Sequence, residues 1–140
     1  MTPLERITVR VTRNGHPDDS GTPIPLLTLE EFFEGNEVDG SICCNLDSCP
    51  PPAQVFHALK AIRERNEVAD VRVQVTAFDD PEWPFSDTVW IMTKANSEEV
   101  ASWIPDELAP DECWEGWIES QVYEAYDVPA DTHPVAMWWD

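Results

Sequence analysis

Carboxylates are the side chains of this chain best placed to do chemistry, and one group of them is tightly clustered. The group falls within nine residues and consists of Asp79, Asp80, Glu82 and Asp87. Such clusters of oxygen ligands suit hard cations such as Ca²⁺. A calcium-binding loop needs a regular ligand spacing with a glycine at its sharp turn, and Pro81 and Pro84 break that regularity. We therefore expect a solvated hairpin loop, with a weak divalent-metal site as the open alternative.

A second group of acidic side chains lies in the segment that begins at Pro110. Helical spacing over 110–125 would place one stripe of side chains outward, namely Glu112, Glu115, Glu119, Tyr123 and Tyr126. Asp111 and Asp127 extend this stripe at its ends. Like charges three or four positions apart destabilise a helix by roughly 0.2–0.5 kcal/mol per pair, and no basic residue here offsets them. We infer a binding face on which carboxylates steer a basic partner and tyrosines anchor it, against the alternative of an ordinary solvated helix face.

The cysteines and histidines lack the spacing of a catalytic or metal site. Cys43, Cys44 and Cys49 do not form the paired C-x2-C pattern of zinc sites and redox dithiols, so we expect Cys43 or Cys44 to be a small buried apolar residue. The three histidines are scattered, at His16, His57 and His133. No glycine-rich phosphate loop or nucleophile elbow is present, and no cofactor is predicted.

The charge of the chain is concentrated in its second half. Residues 79–140 hold 16 of the 28 acidic side chains and a single basic one, Lys94, whereas residues 1–78 hold 12 acidic and seven basic side chains. A surface this anionic repels nucleic acid and anionic membranes and attracts basic partners. Salt adaptation or solubility alone is a competing explanation, but it predicts acidic residues spread evenly over the chain.

The length of 140 residues predicts one domain, 1–140, with enough chain to bury a core. No apolar run of about 18 residues is present, so we expect no membrane-spanning segment. Charged residues stand near the N-terminus where a signal peptide is apolar, which favours a cytoplasmic protein with reduced cysteines.

Hydrophobic periodicity and capping signals predict an α+β fold. Strands are expected at about 4–12, 41–46, 69–78, 87–93 and 135–139, and helices at about 29–34, 53–65, 97–104 and 110–125. From residue 41 this order is β-α-β-β-α-β, as in ferredoxin-like domains, preceded by an additional strand and a short helix. We predict a two-layer sandwich with a mostly antiparallel sheet and helices on one face, a fold that selects no activity by itself.

These features favour a small binding or inhibitor protein over an enzyme. The expected partner is a basic protein, such as a nuclease toxin or a nucleic-acid-binding protein, and not nucleic acid itself or a membrane. Immunity proteins and protein mimics of nucleic acid act in this way, an analogy that rests on size and charge alone. The alternatives are a small enzyme or metal- or ligand-binding domain using the 79–87 loop, and an acidic domain with no specific binding role. Self-association through Trp83, Trp138 and Trp139 would allow a homodimer.

Overall fold

Five antiparallel strands form one sheet in this protein. The computed structural model describes all of residues 1–140. The strands are β1 (Leu26–Leu27), β2 (Val68–Gln74), β3 (Thr88–Thr93), β4 (Glu112–Glu115) and β5 (His133–Trp138). Their order across the sheet is β1-β2-β3-β5-β4. The helices are α1 (Pro3–Thr12), α2 (Leu29–Phe33), α3 (Pro52–Arg63) and α4 (Ser97–Ala101), and Asp106–Leu108 forms one 3-10 turn.

The middle strand, β3, is apolar on both faces and all six of its residues are buried. This confirms the prediction that the 87–93 segment is central in the sheet. Because side chains alternate along a strand, Val89 and Ile91 face one side while Trp90 and Met92 face the other. The sheet therefore needs a cover on each face.

The helices supply the cover on the first face. Ile7 of α1, Phe32 of α2, Leu59 of α3 and Val100 of α4 all belong to one cluster of 26 buried apolar residues. The same cluster includes Val71, Val73, Val89, Ile91, Val135 and Met137 of the sheet. None of the helices has the length and apolar character that crossing a membrane requires.

A loop covers the second face. Residues 116–132, here called the covering loop, contain no helix and no strand. Trp117, Tyr123, Tyr126 and Val128 of this loop pack with Trp114 of β4 against the buried cluster Leu26, Trp90, Met92 and Ala136. The architecture therefore has three layers: the helices, the sheet and the covering loop.

Several predicted elements are confirmed. The helix predicted from residue 29 is α2, and Thr28 and Glu31 form its capping box as expected. The helix predicted at 53–65 is α3, and the one capped by Asn96 is α4. The strands predicted at 69–78, 87–93 and 135–139 are β2, β3 and β5. The expectation of an α+β fold with an antiparallel sheet is therefore correct.

The strand predicted at 4–12 is wrong, because Pro3–Thr12 is a helix. Thr2 and Glu5 form a capping box at its start, with Pro3 in the first turn, where the missing N–H costs nothing. Ile7 and Val11 are one helical turn apart and both are buried, whereas Val9 is 60% exposed. The alternation of β-branched residues concealed this spacing.

The strand predicted at 41–46 is also wrong. Ile42 makes a single bridge with Ser86, and Cys43 has a φ of 58°, which a continuing strand does not allow. The helix predicted over 110–125 is replaced by β4 and the covering loop, with Gly116 at a φ of 96° where the strand ends. The ferredoxin-like order is therefore not confirmed, since it needed both elements.

Candidate binding site

The predicted acidic stripe does not lie on one face of a helix. Glu112 and Glu115 are both exposed on the edge strand β4, and an odd spacing of three residues points them to opposite faces of the sheet. Glu115 turns towards α4 and β5, where its Oε1 lies 3.4 Å from His133 Nε2 and its Oε2 accepts a hydrogen bond from the Ser97 N–H at 3.3 Å. Glu119 is exposed in a turn of the covering loop. These three carboxylates remain on the surface but are not arranged as one stripe.

Tyr123 and Tyr126 hold the covering loop against the sheet and do not protrude. The Tyr123 ring lies 4.8 Å from Trp117 and 5.7 Å from Trp90, measured between ring centroids. The Tyr126 hydroxyl donates to Asp70 Oδ2 at 2.6 Å. Burial and this hydrogen bond to an anionic acceptor raise the pKa of Tyr126 above its ordinary value. The expected role of the two tyrosines as protruding anchors is therefore not supported by their positions.

The two flanking aspartates also differ from each other. Asp111 Oδ2 accepts hydrogen bonds from the backbone N–H of Asp140 at 2.7 Å and from Asn45 Nδ2 at 3.0 Å. These bonds favour the ionised carboxylate and lower the pKa of Asp111. Asp127 is exposed in the covering loop. Asp111 therefore holds the backbone of Asp140 in place, while Asp127 only contributes surface charge.

Glu124 is the acidic residue that the sequence reasoning missed. It is 7% exposed, and it accepts hydrogen bonds from Arg10 Nη2 at 2.8 Å and Arg13 Nη2 at 2.9 Å, and from the backbone N–H of Leu26. Burial opposes its ionisation, but the hydrogen bonds from Arg10 and Leu26 outweigh that cost and lower the pKa of Glu124. Its arginine partners lie 114 and 111 positions away, so no local pattern could have identified it.

The 79–87 loop separates the four carboxylates that were grouped in the sequence. Asp79 and Asp80 line a concave region of about 450 Å³ together with Asp39. Glu82 is exposed, and its backbone N–H donates to Asp80 Oδ1 at 2.8 Å, which closes a local turn. Asp87 lies elsewhere, beside β3. No group of three or more His, Cys, Asp or Glu side chains is positioned to hold a metal ion.

Asp87 and Glu112 are brought together with two tryptophans in a groove on the loop-covered face. The groove has a volume of about 280 Å³ and is lined by Gln74, Thr76, Asp87, Thr88, Glu112, Trp114, Ile118, Gln121 and Trp138. We call it the Trp138 groove. Trp138 of β5 is paired in register with Thr88 of β3 on one side and with Glu112 of β4 on the other. One member of each predicted acidic group therefore reaches the same groove.

Hydrogen bonds hold the Asp87 carboxylate in place at this groove. Its Oδ1 accepts from Thr76 Oγ1 at 2.6 Å and from Thr88 Oγ1 at 2.8 Å, while its Oδ2 has no hydrogen-bond partner. Thr76 is in turn held by Gln74 Nε2 at 3.3 Å, and Gln74 Oε1 accepts from the Trp90 indole at 3.0 Å. These hydrogen bonds connect the buried Trp90 to Asp87, whose Oδ2 remains without a partner.

The cysteines and histidines do not form a common site. Cys43 is buried, as expected for one of the adjacent pair, and burial raises the pKa of its thiol to about 12, whereas Cys44 and Cys49 are exposed. The histidine surroundings all differ: His16 stacks on Phe78, His57 is exposed on α3, and His133 Nε2 lies 2.8 Å from the Ala95 carbonyl oxygen.

The tryptophans proposed for self-association do not share a surface. Trp83 is 4% exposed and donates from Nε1 to the Phe32 carbonyl at 3.1 Å. Trp139 is 1% exposed and donates from Nε1 to the Leu108 carbonyl at 2.9 Å. Only Trp138 of the three is half-buried and reaches a groove. Trp83 and Trp139 therefore offer no exposed surface for the expected self-association.

Comparison with known proteins places the chain in a family. No solved structure matches it. A protein of Escherichia coli (strain K12), described as "Uncharacterized protein YfbO", is 52% identical over 140 residues, and the match covers 100% of both chains. The family model described as "Uncharacterized protein YfbO family" matches residues 2–137. The chain therefore belongs to the YfbO family.

Proposed function

We propose that this protein is a small acidic binding protein that neutralises a basic protein partner. The observation that carries the proposal is how the chain uses its own positive charge. All six arginines form ion pairs with carboxylates of the same chain: Arg6, Arg10, Arg13, Arg63, Arg65 and Arg72. No arginine is left to neutralise the remaining surface carboxylates.

Almost none of these ion pairs involves a carboxylate of the acidic half, residues 79–140. Of the 16 carboxylates in 79–140, only Glu124 is paired with an arginine. The others leave an uncompensated negative field, which raises the encounter rate with a basic partner and repels nucleic acid. A partner that binds nucleic acid presents cations spaced for phosphates, and surface carboxylates occupy the same cations. Binding by this mechanism blocks the partner's nucleic-acid surface.

The first test is capture of the partner followed by kinetics with the purified pair. Tagged protein is incubated with extract of its native host at low ionic strength and washed with about 0.5 M NaCl, which screens charges beyond a few ångströms. We expect a basic protein in the salt wash, and an association rate constant for the purified pair that falls steeply as salt rises. An association rate insensitive to salt would contradict electrostatic recognition of the partner. The absence of any salt-released protein would contradict the proposal and favour acidity without a binding role.

A charge-reversal pair then tests which half of the surface binds. The Glu115→Lys/Glu119→Lys double variant is expected to lose partner binding while remaining folded, because both side chains are exposed. The Glu37→Lys/Glu64→Lys double variant is the matched control, since it changes the charge equally at exposed positions in the first half. Equal loss of binding in both double variants would show that only net charge matters.

A ligand-binding role at the 79–87 loop is the second candidate. The concave region of about 450 Å³ that contains Asp39, Asp79 and Asp80 supports it, because its size suits a small molecule. Titration with a panel of small cationic metabolites, followed by NMR at the backbone amides of Asp79 and Asp80, tests it. Saturable shifts confined to this region would favour the second candidate over the first.

A further inference from the structure

The Trp138 groove combines aromatic rings and carboxylates. Trp114 and Trp138 are both half-buried and both line it, so part of each indole faces the open volume. Asp87, which directly precedes β3, and Glu112 of β4 stand on either side of Trp138. Neighbouring strands lie about 4.8 Å apart, which places β3 and β4, on either side of β5, about 10 Å from each other. A planar cation over Trp138 would lie between two negative charges.

The chain already uses this combination twice to hold its own arginines. The Arg65 guanidinium carbon lies 4.3 Å from the Trp103 ring centroid, and its Nη2 lies 3.2 Å from Glu67 Oε2. Arg72 repeats the arrangement, with its guanidinium carbon 4.9 Å from the Tyr126 ring centroid and its Nε 2.8 Å from Asp70 Oδ2. Each arginine has an aromatic ring on one side and a carboxylate at its edge. The Trp138 groove has the ring and the carboxylates but no cation of its own.

No basic side chain of the same molecule is available to fill the groove. The six arginines are engaged in ion pairs elsewhere. Lys60 is on α3, which covers the opposite face, and Lys94 follows the other end of β3 from the groove. The cation must therefore come from a second molecule.

We propose that the Trp138 groove binds an exposed arginine side chain of the basic partner protein. This inference rests on the proposed function and names the chemical group that the site recognises. The guanidinium stacks on the Trp138 or Trp114 indole and donates an N–H to the free Oδ2 of Asp87, while Glu112 faces it from the other edge. Arginine suits this geometry better than lysine, because its plane stacks on a ring and its donors lie in that plane.

The Asp87 carboxylate is prepared for this role before the partner arrives. Its Oδ1 is fixed by the Thr76 and Thr88 hydroxyls, so its orientation costs little further entropy on binding. Oδ2 is left as a charged acceptor, and hydrogen bonds to charged acceptors are the stronger kind. Glu112 is exposed and has no such support, so Asp87 is the principal anionic contact.

The test uses three short peptides that differ only in the central side chain. Acetyl-Gly-Arg-Gly-amide, the lysine peptide and the citrulline peptide are titrated into ¹⁵N-labelled protein, and the indole N–H signals are followed by NMR. We expect saturable shifts of the Trp114 and Trp138 indoles with arginine, at least about threefold weaker affinity with lysine, and no saturation with citrulline, which keeps the shape without the charge. The proposal would be overturned if the arginine peptide shifted the NMR signals of residues near many surface carboxylates and showed no preference for these two indoles.

Matched variants locate the contact. Asp87→Asn keeps an oxygen that can accept from both threonine hydroxyls but removes the charge, so the affinity for the arginine peptide should fall about tenfold. Asp106→Asn removes the same charge at an exposed position outside the groove and should change the affinity little. Trp138→Leu should weaken binding about threefold or more. Equal affinities of the two asparagine variants would refute an Asp87 contact.

Measurements of partner binding distinguish a wrong assignment of the groove from a wrong proposed function. If the captured basic protein binds Asp87→Asn and Trp138→Leu as tightly as the wild type, with the same salt dependence, the groove is not the recognition site while the proposed function stands. If the extract contains no salt-released basic protein, the proposed function fails. The peptide titration then still decides whether the groove accepts a guanidinium.

Discussion

The two faces of the sheet are covered by different kinds of structure. Four helices cover one face, and their apolar side chains join those of the sheet in a cluster of 26 buried residues. The covering loop lies on the other face, where only four buried apolar residues form the cluster. Polar side chains of β2 take up the rest of this face, including Asp70, Arg72 and Gln74.

The difference shows how a loop without regular structure can be held in place. A helix satisfies its own backbone, so the helical face needs only apolar contact. The covering loop is attached by separate contacts: Glu124 to Arg10 and Arg13, Tyr126 to Asp70, and two backbone hydrogen bonds between Ile24 and residues 122 and 124. Each contact can be removed singly, so the loop-covered face should open before the helical face.

The largest expected effect comes from the centre of the loop-covered face. Trp90 is fully buried, and its ring lies 4.6 Å from Trp117 and 6.1 Å from Trp114, between ring centroids. Trp90→Ala should reduce the free energy of unfolding by about 3–5 kcal/mol and remove near-UV circular dichroism from the ring cluster. Val9→Ala, at an exposed position of α1, should change it by less than about 0.5 kcal/mol. A loss below about 1 kcal/mol for Trp90→Ala would mean that the helical face alone holds the fold.

The next effect comes from the buried carboxylate. Glu124→Gln leaves Arg10, which is 11% exposed, with Glu31 as its remaining charged partner, and should cost about 2 kcal/mol. Hydrogen exchange should accelerate in 116–128 and remain unchanged in α2 and α3. Glu30→Gln is the matched control, because the Glu30 pair with Arg63 is solvent-exposed and should be worth less than about 1 kcal/mol. Uniform acceleration in both faces would argue against separate opening of the loop.

Acid should remove the same contact without a mutation. The folded-state pKa of Glu124 lies below its ordinary value of 4.5, so its contribution is fully present above that value and is lost as the pH falls through the folded-state pKa. The difference in unfolding free energy between the wild type and Glu124→Gln should therefore be constant near neutral pH and shrink below about pH 4.5. A difference that does not change with pH would show that the Glu124 charge is not what stabilises the loop.

The smallest effect is expected at Tyr126. Tyr126→Phe removes the hydroxyl that donates to Asp70 and should cost about 1 kcal/mol. The pKa of Tyr126 is raised in the folded state, so this contribution is present below the ordinary value of 10.0 and is lost as the pH rises through the folded-state pKa. Chemical denaturation at neutral and alkaline pH measures both. Tyr123→Phe, whose hydroxyl makes only long contacts of 3.3 and 3.4 Å, should cost less.

The helical face was the more predictable of the two from sequence. Local signals define it: the Thr28 capping box for α2, the apolar spacing of α3, and the alternation of valines in β2. The 41–46 segment was misassigned, since Ile42 and Cys43 belong to the cluster on this face without forming a strand. Helix α1 was misassigned as well, because its β-branched residues alternate like a strand. The capping box of Thr2 and Glu5 with Pro3 was the signal that would have corrected it.

The loop-covered face was not predictable in the same way. The predicted helix would place Trp114 and Trp117 inward and Tyr123 outward, but these three rings instead surround one residue of β3, Trp90. That arrangement depends on strand pairing across the sheet, which no window of sequence contains. The Trp138 groove has the same origin, since Asp87 and Glu112 reach one groove only through the pairing of β3, β5 and β4.

The ion pair of Arg10 with Glu124 joins positions 114 residues apart, and it thereby sets the order in which the molecule can be completed. At a synthesis rate of about 5–20 residues per second, Arg10 of α1 precedes Glu124 by roughly 6–23 s. A helix of 10 residues is marginal in isolation, so α1 must wait for tertiary support. The apolar residues of α2, α3 and β2 can begin to pack as they emerge, although Val135 and Met137 of β5 join their cluster last. The loop-covered face closes only when the acidic half has been made. The surface that carries the Trp138 groove is therefore among the last parts of the molecule to acquire its native form.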